Sequence, residues 1–293
     1  MKFRVTHTTE YDYTGQVSLC WNRAVLLPRD TATQKCLTSG LQIDPMPTDL
    51  HERTDFFGNR ISHFAIQEPH GKLKVTAVSD LAISSETGYS AADNGSSWES
   101  VRDQLSSEKK QDVLAALPCR FRSKLVHGSQ QLTEYARPSF TPERPLLEAV
   151  TDLMRRIYED FKYDPGVTTI STPLIDVLKN RHGVCQDFAH LGIGCLRAMG
   201  LAARYVSGYI ETVPPPGKEK MVGADASHAW FSVFAGTAGW IDFDPTNNQI
   251  PSGQHVTVAW GRDFSDVSPL RGVALGGGKH KVAVSVDVAR LST

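Results

Sequence analysis

Three polar side chains of this chain have types and spacing that could do chemistry together: Cys185, His228 and Asp244. Cys185 lies in "RHGVCQDFAHLGIGCLRAMG", where Phe188, Gly192, Cys195, Leu196 and Met199 recur at helical spacing and Gly200 closes the pattern. This periodicity predicts a helix that begins near Val184 and puts the thiol in its first turn. There the backbone N–H groups point outward and the helix dipole is positive, which favours a thiolate. A thiolate so placed is a nucleophile, and the N–H of Cys185 can face the oxyanion that its attack creates. Gln186 and Asp187 share that turn. Gln186 is a candidate for the substrate groove, and Asp187 suits a helix cap or a complement to the dipole.

The segments "SHAWFSVF" and "GWIDFDP" alternate with period two around Ala235-Gly236-Thr237 and predict a hairpin. A turn centred on Gly236 sets His228 opposite Asp244, and a slip of one residue leaves them diagonal, still within side-chain reach. Such a pair beside a nucleophile supplies a base and the carboxylate that orients it. Asp242 is the competing acid. Trp230 could wall the groove or belong to the core. Cys195 falls on the apolar stripe of the Cys185 helix and reads as core. Cys185, His190 and Cys195 do not share a helix face and match no common zinc spacing, so no metal is expected. His182 and His190 flank the nucleophile, as solvated side chains or as substrate contacts.

Residues 1–92 read as strands. Phe3 and Val5 alternate, as do Leu73, Val75 and Ala77, and Gly58-Asn59 marks a hairpin turn. They predict a small antiparallel β-sandwich. "SAADNGSSWES" reads as a linker, and residues 93–140 as a helical connector. Residues 141–293 form the catalytic domain, ending in the alternating strand "VAVSVDVARL". Within it Leu146, Val150, Leu153, Ile157 and Phe161 make one helical stripe, with Pro145 in the first turn and Pro165-Gly166 beyond its end. The next helix has Thr172 as its expected N-cap, Pro173 as its first residue and Gly183 as its C-cap. "TVPPPGKEKMVGAD" is a loop placed to form a lip of the groove. The fold class is α+β.

The chain has 293 residues and a formal net charge of −1. A balance so close to neutral gives no electrostatic reason for a nucleic-acid or membrane partner. No apolar leader opens the sequence, and no window reaches the roughly 18 apolar residues of a membrane span. Five scattered cysteines suggest free thiols in a reducing, cytoplasmic setting.

"GVCQDFAHL", "HAWFSVF" and "GWIDFDPTN", in that order, resemble the core of the transglutaminase-like superfamily, with its G-x-C, H-A-W and D-P-T blocks. "THTTEYDYTGQV", "DFFGNRISHF" and "GRDFSDVSPLRGV" resemble the bacterial cysteine-protease subgroup with its own β-rich N-terminal region. The resemblance implies a papain-like core: a helix bearing Cys185 packed on an antiparallel sheet bearing His228 and Asp244. It implies acyl transfer from an amide through a thioester, on a peptide or protein substrate and without a cofactor. Animal transglutaminases place a Trp upstream of the Cys to stabilise the oxyanion. The matching stretch "FKYDPGVTT" has none, and Tyr163 is the candidate donor. No acidic D-x-D-x-D loop implies calcium. Hydrolysis of peptide or isopeptide bonds is the leading expectation, with protein-glutamine transglutaminase activity or a non-catalytic peptide scaffold as alternatives.

Overall fold

The computed structural model describes residues 1–84, 95–211 and 227–291. The expected groove lip, 212–225, and part of the expected linker, 90–94, lie outside these residues.

The N-terminal strands are β1 (Lys2–Ala24), β2 (Gln34–Asp44), β3 (Asp49–Thr54), β4 (Arg60–Ile66) and β5 (His70–Ile83). They form one curled antiparallel sheet in the order β2-β5-β1-β4-β3. The curl comes from β1, whose pairing with β5 shifts between Asp12 and Val17. Such irregularities bend and twist a strand. Its first half pairs with β5 and its second half with β4. Phe3, Val5, Leu73, Val75 and Ala77 are all buried, as their alternation requires. The turn at Gly58 joins β3 to β4, with Gly58 N–H donating to Asp55 at 3.0 Å and a φ of 77°.

The helices α1 (Trp98–Ser107), α2 (Gln111–Ala116) and α3 (Gln130–Ala136) lead into α4 (Leu146–Asp160). All five residues of the predicted α4 stripe are buried. A short strand β6 (Lys162–Tyr163), helix α5 (Leu174–Asn180) and strand β7 (His182–Gly183) precede α6 (Cys185–Ala198). The helix α5 differs from expectation at both ends. Pro173 is its N-cap, and it ends on Arg181, which adopts the left-handed conformation at φ 59°. Gly183 serves close packing instead: a Cβ there would lie 2.8 Å from the Asp187 Cβ.

After α6 come β8 (Ala203–Ile210), β9 (Ser227–Phe234), β10 (Trp240–Phe243) and β11 (His255–Gly261), an antiparallel sheet in the order β10-β9-β8-β11. α6 lies on β9, with Gly192 against the Phe231 ring. A Cβ on Gly192 would lie 2.5 Å from that ring. Gly192→Ala is therefore expected to cost about 1–3 kcal/mol by overpacking, read as a lower urea midpoint with an unchanged slope.

The chain closes with α7 (Phe264–Val267), β12 (Leu270–Gly276) and β13 (His280–Arg290). The C-terminal strand was expected to close the catalytic domain. Instead both β12 and β13 pair with β1 in the N-terminal sheet. Alternation reveals which residues of a strand are buried, not which strand it joins. Val286 and Val288 do bury one face of β13, in the same core cluster as Phe3 and Val5. That cluster continues through α3, α4 and α6 to β9. The N-terminal region also engages β11. Gln34 holds both backbone groups of Thr257, donating to its carbonyl at 2.7 Å and accepting from its N–H at 2.9 Å. Asn59 does the same for Trp260, at 2.7 and 3.0 Å. Two side-chain amides thus occupy backbone groups of β11 as a neighbouring strand would.

Candidate active site

The β9–β10 hairpin is centred one residue later than the sequence suggests. Ala235 N–H donates to Gly239 at 2.7 Å, closing a loop that runs through a short 3-10 turn at Gly236–Ala238. Trp240 therefore pairs with Phe234 and Asp242 with Ser232. His228 does not face Asp244 directly; the two are diagonal. The pair forms all the same. His228 Nε2 lies 2.8 Å from Asp244 Oδ2, and both side chains are buried.

Asp244 is fully buried just past the end of β10, and its two oxygens collect a dense set of donors. Oδ1 accepts the N–H groups of Thr246 at 3.0 Å and Asn247 at 3.3 Å. Oδ2 accepts the Asn247 side-chain amide at 2.8 Å and faces Nε2 of a second histidine, His255, at 3.1 Å. Burial pushes the carboxyl up, but the bonds from His228, His255 and Asn247 outweigh it and hold the group well below the usual range. Burial likewise lowers His228. Its bonds to Asp244 and Cys185, and the charge on both, more than reverse this and raise it to about 10. With Nε2 committed to Asp244, Nδ1 is the nitrogen left to exchange a proton with the Cys185 sulfur.

Cys185 is the first residue of α6 and is only partly buried, against the edge of the core. The first N–H groups of a helix have no carbonyl of their own helix to bond, so those of Cys185 and Gln186 can receive an oxyanion. Val184 carries no side-chain acceptor. Asp187 instead reaches back to the Val184 N–H at 2.9 Å and is fixed by Thr168 Oγ1 at 2.6 Å. Burial raises the Asp187 carboxyl; these two bonds oppose it. The capping reading of Asp187 thus describes its bonds. Tyr163 is half exposed and pairs through β6 with Gly183, two residues before the nucleophile. Burial and the charge of Cys185 both push its phenol up. The structure therefore gathers Cys185, His228, Asp244, Gln186 and Tyr163 at one end of α6.

Trp230 is fully buried beside the site, its ring centre 5.9 Å from that of His228, and donates Nε1–H to Asp242 at 3.0 Å. Ser232 also donates to Asp242, so that acid holds the hairpin's rear side chains and not His228. His190 is buried, accepts the Phe264 N–H at 3.1 Å, and is lowered by burial to about 4. Burial pushes the Cys195 thiol up to about 12. His182 stays exposed, 4.0 Å from Asp164. Asn247 and His255 were missed in the sequence. Asn247 sits three residues past Asp244 in a turn, where its spacing is a usable signal. His255 opens a distant strand, and no local pattern points to it. The ligand atoms of His228, Asp244 and His255 lie within 4.8 Å of one another, but a metal ion there would displace the hydrogen bonds just described.

Comparison with known proteins matches this arrangement to a family. Residues 133–245, which span Cys185, His228 and Asp244, match the transglutaminase-like superfamily, and residues 3–82 match the bacterial transglutaminase-like N-terminal region. The chain belongs to the transglutaminase-like superfamily. An uncharacterized protein of Mycobacterium tuberculosis is 43% identical over 98% of this chain and 92% of its own. One from Mycobacterium leprae is 31% identical over 99% of both. A protein-glutamine gamma-glutamyltransferase of Pseudomonas aeruginosa is 29% identical over 41% of this chain and 20% of its own length. In fold, the chain is similar to a crystal structure from Cytophaga hutchinsonii provisionally assigned as a cysteine protease. The TM-score is 0.75 at 23% identity, covering 100% of this chain and 91% of that one. Within this superfamily fold, Phe3, Val5, Leu81 and Val288 of the curled N-terminal sheet share the α6–β9 core, whereas Phe64, Ile66, Leu73 and Val75 form a separate cluster.

Proposed function

We propose that this superfamily member is a cysteine-dependent hydrolase of peptide or isopeptide bonds. One observation carries the reading: buried Asp244 holds Nε2 of His228, and a partly exposed cysteine, which contributes to the raised pKa of that ring, opens α6. Cys185 sulfur attacks the amide carbonyl, and the N–H groups at the start of α6 receive the oxyanion. The C–N bond breaks, His228 gives its proton to the leaving amine, and a thioester remains on Cys185. Water then attacks the thioester, its proton passes to His228, and a carboxylic acid leaves. An amine in place of water would make the same site a transglutaminase. The absence of a Trp in "FKYDPGVTT" and the half-exposed Tyr163 favour water. All five cysteines are unpaired, which supports work in a reducing compartment such as the cytoplasm.

The test is incubation with a library of glutamine- and isopeptide-containing peptides, with and without a dansylated primary amine, followed by mass spectrometry. The expected products are cleaved or deamidated peptides, lost in Cys185→Ser, with the amine incorporated only as a minor product. Amine incorporation as the main product would replace hydrolysis by transfer. Unchanged peptides throughout, from a folded protein, would favour the scaffold reading.

A further inference from the structure

Behind the hairpin, on the side away from α6, lies a cavity of about 300 Å³ between the catalytic sheet and the N-terminal region. Its walls include Arg204, Asp242, Trp240, Trp260 and His255, with Ile241 and Ile250 supplying apolar surface. Two of these groups are polar and buried. Among the described residues, the Nδ1 of His255 has no hydrogen bond. Arg204 is 8% exposed, and its one hydrogen bond among the described residues is a long one, Nε to Ser232 Oγ at 3.4 Å. Its guanidinium is held by the faces of Trp240 and Trp260, 4.3 and 3.7 Å from their ring centres. The nearest acid, Asp242, is already bonded by Trp230 and Ser232. Burial lowers Arg204 to about 9, so it remains a cation at neutral pH, with the Asp242 charge and the two indole faces as its partners. A buried polar atom without a partner costs free energy. A ligand that bonds both groups would recover it.

The chemistry of that ligand follows from the two groups. A guanidinium favours a carboxylate. His255 directs Nε2 at the Asp244 carboxylate, so its proton sits there and Nδ1 is left as an acceptor. The ligand must therefore present an O–H or N–H donor to Nδ1. At a water's share of ~30 Å³, the volume holds on the order of ten non-hydrogen atoms. We propose that this cavity binds a small carboxylate that carries a hydroxyl or amino donor and a short apolar tail, with Arg204 and His255 as its anchors. Occupancy reaches the catalytic residues by one route: His255 and His228 share Asp244 Oδ2. A bond formed at His255 Nδ1 changes what His255 donates to that oxygen and so what the oxygen offers His228. The site is an effector site, distinct from the acyl-transfer centre. Only this effect on His228 rests on the function proposed above; binding itself does not.

The probe is 2-hydroxyisocaproate, which has about nine non-hydrogen atoms and fits this volume. Isocaproate lacks the donor and 2-hydroxyisocaproamide lacks the carboxylate. Binding is measured by calorimetry on the full chain and on Cys185→Ala, which needs no catalysis, with the histidine ring nitrogens followed by NMR. The expected result is saturable binding to both proteins, at least tenfold weaker for each control compound, with ring shifts at His255 and His228. Arg204→Met should weaken binding at least tenfold. Should that buried change prevent folding, Ser252→Trp, at an exposed residue of the cavity rim, must block binding in a folded protein. The proposal is overturned if the folded wild type binds none of these acids, if Ser252→Trp binds as well as wild type, or if binding leaves the His255 ring unmoved.

Discussion

Asp244→Ala is expected to remove activity and destabilise the fold together. The carboxylate is fully buried and satisfies five donors, two of them histidine rings. Deleting it strands those groups in the interior, and breaking a buried charged pair in this way costs about 3–5 kcal/mol. The cost depends on pH in a defined sense. His228 is raised from 6.5 to about 10, so its share is fully present below pH 6.5 and is lost as the pH rises towards 10. Asp244 is held below its ordinary 3.8, so its share is present above that value and fades as the pH falls beneath it. The stability gap between wild type and Asp244→Ala should therefore be widest between about pH 4 and 6.5. Urea unfolding across pH 3–10 measures it. A gap that does not change with pH would mean the loss is a cavity and not a charge network. Asp244→Asn retains the shape but sets an N–H₂ donor against the donors that one carboxylate oxygen accepted. It should lose part of the stability and lose activity by about 10³–10⁴, because the amide no longer selects the His228 tautomer.

His228→Ala should slow acylation of Cys185 by on the order of 10²–10⁴, and it should also lower stability, because it takes the imidazole partner from the buried Asp244 carboxylate. The ring lies near the start of β9 and contributes no backbone pairing that alanine cannot make. In the proposed mechanism its loss removes both the partner that takes the thiol proton and the acid that protonates the leaving group. The burst of p-nitrophenol from p-nitrophenyl acetate reports the acylation step directly. An unchanged burst rate in a folded His228→Ala protein would remove His228 from the reaction.

Much of this site was legible because it depends on local rules. The apolar stripe placed the start of α6 at Cys185, and alternation placed His228 and Asp244 on one hairpin. The centre of that hairpin was off by one residue, since a 3-10 turn at Gly236–Ala238 is not written in the period-two pattern. The pair survived because a diagonal carboxylate still reaches an imidazole. What stayed illegible depends on tertiary placement. The same alternation that marked "VAVSVDVARL" as a strand could not assign it to β1. The position of Trp230 in "HAWFSVF" fitted the groove and the core equally well; only the sheet's packing puts its indole on Asp242. His255 reaches Asp244 from a strand on the opposite edge of the sheet from β10, a contact that no spacing encodes.

The central claim is that His228 activates the Cys185 sulfur as the nucleophile. The pH dependence of Cys185 alkylation by iodoacetamide, followed by peptide mass spectrometry in wild type and His228→Ala, tests it most directly. The account predicts that Cys185 in wild type is alkylated faster than in His228→Ala, and that the two proteins differ in how the rate depends on pH. A rate that rises only near the unperturbed thiol value of about 8.5, and does so equally in both proteins, would contradict it.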